Sequence, residues 1–87
     1  MNLKRMVVEG ANGSDIEIQR TEEGARVTTA GDHLLCDLRR TDDPDTRWAS
    51  ALIAATSIYG TDRRGRPNAT NSMIHDVLRA IEAVAGC

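Results

Sequence analysis

Aromatic side chains are almost absent from this chain of 87 residues, which has no phenylalanine and only one tryptophan, Trp48, and one tyrosine, Tyr59. We therefore expect an aliphatic core. No apolar run approaches the roughly 18 residues that a membrane-spanning helix needs. The apolar part of the first ten residues is also too short for a signal peptide, so a cytoplasmic protein with no membrane partner is predicted. A single domain, 1–87, is expected, and it is too small to enclose a large active site.

Neither positive nor negative charge is in large excess, because 11 basic and 13 acidic residues leave a net charge of −2. A protein that imitates nucleic acid would be strongly acidic. A general nucleic-acid binder is usually basic. The balance therefore weakens both interpretations without excluding a local contact. Lysine is nearly missing too: Lys4 stands against ten arginines, and arginine can pair two ways with a carboxylate or phosphate.

Cysteine is scarce, and Cys36 and Cys87 do not form a disulfide framework. Both are predicted to be free thiols, as is usual in a reducing cytosol. Together with His33 and His75, they are four side chains of types that can bind a metal ion. However, residues three apart on a strand point to opposite faces, so His33 and Cys36 diverge. No second closely spaced ligand pair follows, and no metal site is expected.

Motifs for catalysis are also missing, including the phosphate-binding and dinucleotide-binding glycine patterns and the nucleophile elbow. Two carboxylate pairs occur, at 22–23 and 42–43. Adjacent residues in a turn or at a helix start do not make a general acid/base pair. We expect no enzyme, no catalytic residue and no cofactor.

The first half of the chain has the pattern of short β-strands. Residues 6–8 form an apolar run, and Asn12-Gly13 after it is a strong signal for a two-residue hairpin. Alternation at Ile16 and Ile18 and turn signals near Gly24 and at Gly31-Asp32 predict further antiparallel strands. The result is a three- to four-stranded meander over 1–40. Its polar face is expected to carry Asp15, Glu17, Gln19 and Arg26.

The second half has helical periodicity. Asp43-Pro44 is typical of a helix start, and Gly60 of a helix end, which predicts a helix over 43–59. A second helix is predicted over 70–86, after a loop at 60–69. The apolar stripe expected on the first helix is Trp48, Leu52, Ala55 and Tyr59. On the polar face of the second, Arg79 is spaced to pair with Asp76 or Glu82.

Together these elements predict an α+β fold in which two helices cover one face of the antiparallel sheet. The strand residues Leu34 and Leu38 are expected on the same inward face as Cys36. The predicted core comprises Leu34, Cys36, Leu38, Leu52, Ile74, Leu78 and Ile81.

Two charged surfaces are candidates for partner binding. The basic one is the loop with Arg63, Arg64 and Arg66, although Asp62 reduces its charge and a solvated linker has the same composition. The loop lacks the interleaved aromatic residues that stack on bases. The acidic one combines Glu22 and Glu23 at a turn with Asp42 and Asp45 at the start of the first helix.

The succession of a short antiparallel hairpin at 16–30 and an alanine-rich helix that opens with Asp43-Pro44 resembles small phage-encoded inhibitors, including anti-CRISPR proteins. The resemblance implies a non-enzymatic protein-binding domain that blocks a surface of a larger bacterial defence complex in the host cytoplasm. Two alternatives stay open. One is a nucleic-acid-binding accessory domain that uses the arginine loop, and the other is a small structural or assembly protein that forms homo-oligomers such as a homodimer.

Overall fold

The computed structural model describes residues 4–87 and has the expected α+β architecture. Four strands form one antiparallel sheet in the order β1-β2-β3-β4, and two helices follow and pack on it. Residues 1–3 of the predicted meander lie outside the described residues. The elements are β1 (Arg5–Val8), β2 (Ile16–Arg20), β3 (Gly24–Thr29), β4 (Leu34–Arg39), α1 (Pro44–Tyr59) and α2 (Asn71–Ala85).

The connection from β1 to β2 is longer than the predicted two-residue hairpin, which is therefore wrong. A short 3-10 turn, Ala11–Gly13, occupies it, with Asn12 in the left-handed region at a φ of 55°. Asp15 does not lie on the polar sheet face as expected. Its Oδ1 accepts a hydrogen bond from the Gly10 N–H at 3.0 Å. Asp15 thus closes this loop, since the amide it satisfies has no ladder partner.

The turn from β3 to β4 corrects the predicted core. Asp32, rather than Gly31, takes the left-handed conformation there, at a φ of 64°. Thr28 pairs with Leu34 while Val27 pairs with Cys36, so Leu35 is an extra residue in a β-bulge. A bulge shifts the inward and outward alternation by one position. As a result Leu34 is 58% exposed, and its expected core position is wrong.

The core lies between the sheet and the helices and is entirely aliphatic. Leu38 and Ile81 are fully buried, as the periodicity predicts, and Ile74 is buried as well. Cys36, Leu52 and Leu78 are half-buried and pack against the core from its margin. The buried hydrophobic residues are Ile16, Ile18, Ala25, Val27, Leu38, Ala51, Ala54, Ala55, Ile58, Ile74, Val77, Ile81, Val84 and Ala85.

Helix α1 begins and ends where the sequence predicts. The Asp43 Oδ1 accepts from the Thr46 N–H at 2.7 Å, and Gly60 ends the helix at a φ of 76°. The predicted apolar stripe is wrong in part: Tyr59 is 37% exposed, whereas Ala54, which the stripe does not include, is buried. Small side chains allow a helix to approach its neighbours closely. The side of α1 with Ala51, Ala54, Ala55 and Ile58 therefore faces inward, while Trp48 and Leu52 pack against the core from its margin.

Helix α2 follows its predicted amphipathic pattern but not its predicted ion pairs. The Thr70 hydroxyl caps its first turn by accepting from the Met73 N–H at 3.3 Å. Among residues 4–87, no salt bridge involves Arg79. Glu82 instead pairs with Arg47 of α1, so the charge interaction joins two helices rather than two turns of one.

Candidate functional site: the arginine hairpin

The segment between the helices is an ordered hairpin, which we call the arginine hairpin and define as residues 61–67. Thr61 and Pro67 form an isolated antiparallel β-bridge at its base. Above the bridge, the Asp62 N–H donates to the Arg66 carbonyl at 2.8 Å, and the Gly65 N–H donates to the Asp62 carbonyl at 3.0 Å. Gly65 has a φ of 76°, a conformation that glycine adopts without strain. The connection is thus a closed turn.

The Asp62 carboxylate organises the tip of this hairpin. Its Oδ1 accepts from the backbone N–H groups of Arg64 at 2.8 Å and Arg66 at 2.9 Å. Its Oδ2 accepts from the Arg66 Nε at 3.2 Å. These bonds, the Arg66 amide first, hold the pKa of Asp62 below its ordinary value. Asp62 therefore shapes the basic cluster, which charge counting alone does not suggest.

The three predicted arginines are consequently not equivalent. All three are exposed, and Arg66 is committed to Asp62. Within residues 4–87 the side chains of Arg63 and Arg64 make no salt bridge or hydrogen bond. The hairpin thus presents two uncompensated guanidinium groups next to an open glycine, at which an added Cβ would meet nothing within 4 Å.

The four acidic candidates do not form one surface of free carboxylates. Glu23 pairs with Arg39 of β4 at 3.3 Å, and Glu22 lies beside it at the exposed β2–β3 turn. The Asp42 Oδ2 accepts from the Arg39 N–H at 2.8 Å and so shapes the β4–α1 connection. Asp45 is exposed in the first turn of α1, and no salt bridge of the described chain involves it.

The arginine hairpin and the acidic candidates Asp42 and Asp45 lie at opposite ends of α1. Asp45 is in the first turn, and the arginine hairpin starts directly after Gly60, which ends the helix. A helix of 16 residues is about 24 Å long at about 1.5 Å per residue. The described chain therefore separates these charges by the length of the helix and does not pair them.

A small cleft that the sequence does not predict lies between the two helices. Its volume is about 270 Å³, and it is lined by Asp42, Pro44, Arg47, Trp48, His75, Leu78 and Glu82. The rings of Trp48 and His75 meet edge to face, with centroids 4.9 Å apart and planes at 70°. The helical pattern assigns His75 to the solvent face, where it does lie. Its contact with Trp48 depends on how the helices cross.

The two thiols differ in environment, and within residues 4–87 they do not form a metal-binding cluster with the histidines. The Cys36 Sγ donates to the Ser50 carbonyl at 3.4 Å, and burial, with a smaller contribution from Asp37, raises the pKa of Cys36 to about 11. Cys87 is exposed at the end of the chain. Over residues 4–87 no cluster of three or more histidine, cysteine or acidic side chains is arranged to hold a metal ion.

Comparison with family models, with curated proteins and with solved structures finds no match to this chain. Within residues 4–87, neither helix has the length and apolar character required to span a membrane. The hairpin geometry and the surface charges are therefore the observations on which a function can be argued.

Proposed function

We propose that this chain is a non-enzymatic protein-binding domain whose contact element is the arginine hairpin. The observation that carries the proposal is the pair of bonds from the Arg64 and Arg66 amides to Asp62, at 2.8 and 2.9 Å. They fix the backbone beneath the two unpaired guanidinium groups before any partner arrives. Ordering a contact element in advance lowers the entropic cost of binding. The matching partner surface carries carboxylates, with which arginine forms two parallel hydrogen bonds.

A protein surface fits this hairpin better than nucleic acid does. The hairpin contains an acidic residue, Asp62, which repels phosphates, and the chain as a whole has a net charge of −2. None of its seven residues is aromatic, so it has no stacking platform for bases. These features favour a local carboxylate contact over a path along a phosphate backbone.

For the biological role, we propose inhibition of a bacterial defence complex by a phage or mobile-element protein of the anti-CRISPR type, in the host cytoplasm. Support comes from the small scaffold, the resemblance in element order, and a contact loop that projects from between two packed helices. Such a domain inhibits by covering a surface of a larger assembly, which requires affinity and no chemistry.

A nucleic-acid-binding accessory domain is the second candidate. The unpaired side chains of Arg63 and Arg64, with Gly65 open beside them, can also contact phosphates. The two candidates differ in their salt dependence. Each phosphate contact releases counterions, so affinity for nucleic acid falls steeply as salt rises.

The experiment compares binding by four forms of the protein. Arg63→Ser/Arg64→Ser removes the free cations but leaves Asp62 and Arg66 in place. Asp62→Ala keeps every arginine but releases the turn, and Arg79→Ser is the matched control on α2. We expect the first two variants to lose affinity for a purified protein partner, identified by cross-linking in nuclease-treated bacterial lysate, and the control to retain it.

The results separate the candidates. Equal affinity of all four forms for the protein partner would refute the hairpin as its contact element. The accessory domain would be favoured if Arg63→Ser/Arg64→Ser lowers affinity for DNA or RNA but not for the protein partner, and if the wild-type affinity for nucleic acid falls steeply with salt.

A further inference from the structure

The outward face of α1 carries no charge over most of its length. The twelve residues from Trp48 to Tyr59 include no acidic, basic or amide side chain. On this face Ala49 is exposed and Ile53 is 48% exposed. The nearby Thr56 hydroxyl donates to the Leu52 carbonyl at 2.7 Å, so it is already satisfied within the helix. The face therefore offers apolar surface that nothing in residues 4–87 covers.

Opposite charges flank this apolar face at its two ends. With about 3.6 residues per turn, Asp45, Ala49 and Ile53 lie within about 80° of one another around the helix axis, and so on one face. Asp45 thus marks the amino-terminal end of the face. Arg63 and Arg64 follow its carboxyl-terminal end, in the arginine hairpin. The sequence of features along the face is acidic, apolar, basic.

We infer that this face binds a second copy of the chain, with the two α1 helices antiparallel. A twofold contact requires a surface that is complementary to itself. If Ile53 lies near the twofold axis, the first turn of one α1, which carries Asp45, lies beside the end of the other α1, where the arginine hairpin begins. The same operation places the second acidic end against the second basic hairpin. Charge complementarity therefore selects the antiparallel arrangement, because a parallel one would set like charges together.

The contact is small, which sets its expected strength. One helix face buries less than the roughly 1,200 Å² of a standard interface. Exposed ion pairs add little and are screened by salt. We expect dissociation constants of about 10–100 µM at low salt, which is a range in which both species are measurable. The inference does not rest on the proposed function. A dimer would cover the arginine hairpin, so dimerisation and partner binding would compete.

The first test measures the weight-average mass by sedimentation equilibrium over a concentration series. The wild-type chain is expected to rise from 9.5 kDa toward twice that mass, and less so at high salt. Ile53→Asp is expected to stay monomeric, with far-ultraviolet circular dichroism and Tm close to those of the wild type. The matched control is Leu34→Asp, which alters a similarly exposed apolar residue of the sheet and should still dimerise.

The second test exchanges the charges. Asp45→Arg alone and Arg63→Glu/Arg64→Glu alone place like charges at both ends of the dimer, and each is expected to weaken association at least threefold. Mixed together, these two variants form two favourable contacts and should associate with each other more tightly than either does with itself. Three results would overturn the inference: a constant mass of 9.5 kDa for the wild type, an Ile53→Asp dimer, or no gain on mixing. Wild-type partner binding that survives a constant mass would leave the proposed function standing.

Discussion

Arg47 of α1 and Glu82 of α2 are joined by a hydrogen-bonded ion pair, Nη1 to Oε2 at 2.7 Å. Their side chains are only 21% and 29% exposed, which makes this the least exposed salt bridge in the described chain. The same guanidinium donates to the carbonyls of Arg40 at 2.6 Å and Asp42 at 3.1 Å. One side chain therefore ties the β4–α1 connection to the second helix.

Because of these shared bonds, Arg47→Met is expected to lower the Tm clearly, since it leaves two carbonyls and a carboxylate with fewer donors. The matched control is Arg5→Met, which breaks the more exposed pair between Arg5 and Glu17 and should change the Tm little. Thermal unfolding followed by circular dichroism measures both. Equal effects of the two substitutions would contradict a special role for Arg47.

Truncating a core side chain should lower the free energy of unfolding far more than truncating Leu34, which the β-bulge turns outward. Ile81 is fully buried, so Ile81→Ala is expected to lower the free energy of unfolding by about 2–5 kcal/mol. Leu34→Ala, at an exposed position, should lower it by no more than about 0.5 kcal/mol. Urea denaturation measures both values. A large decrease in the free energy of unfolding for Leu34→Ala would mean that the bulge does not turn this side chain outward.

The amino-terminal cap of α1 should make stability depend on pH in the acid range. Hydrogen bonding to Thr46 lowers the pKa of Asp43 in the folded chain. The stability that this carboxylate contributes is therefore complete above its unfolded pKa of about 3.9, and it is lost as the pH falls through the lower folded value. Asp43→Asn keeps a capping acceptor without this titration. We expect its Tm to match the wild type at pH 7 and to fall less steeply below pH 4; parallel curves would contradict this.

The two thiols should differ in reactivity at neutral pH. Burial raises the pKa of Cys36 to about 11, so almost none of it is the reactive thiolate, whereas Cys87 is exposed. A thiol reagent in excess should modify one thiol per chain quickly and the second slowly. In urea both should react at similar rates. Rapid modification of both in the folded protein would contradict the environment described for Cys36.

The fold could be predicted where the periodicity was strong and the caps were local. Helix α2 has a clean apolar face, and the Asp43 cap acts within one turn, so both follow from nearby residues. The β-bulge at Leu35 could not be predicted, because it depends on the left-handed Asp32 and on the register with β3. The inward face of α1 could not be predicted either, since alanines and larger apolar residues surround the helix almost evenly.

Sequence reasoning located the candidate site but could not describe its structure. The cluster of arginines is visible as composition. The role of Asp62 depends on which backbone amides turn toward its carboxylate, and that is a property of the folded hairpin. Likewise, the contact between Trp48 and His75 depends on how two helices cross, which a single helical pattern does not specify.

The β-bridge between Thr61 and Pro67 has a consequence for how this protein can change. It closes the hairpin at its base, and the tip makes its hydrogen bonds within itself. Substitutions at positions 63 and 64 are therefore expected to lower the free energy of unfolding very little. Under the function proposed above, these two positions can follow changes in the partner's surface while the scaffold beneath stays constant.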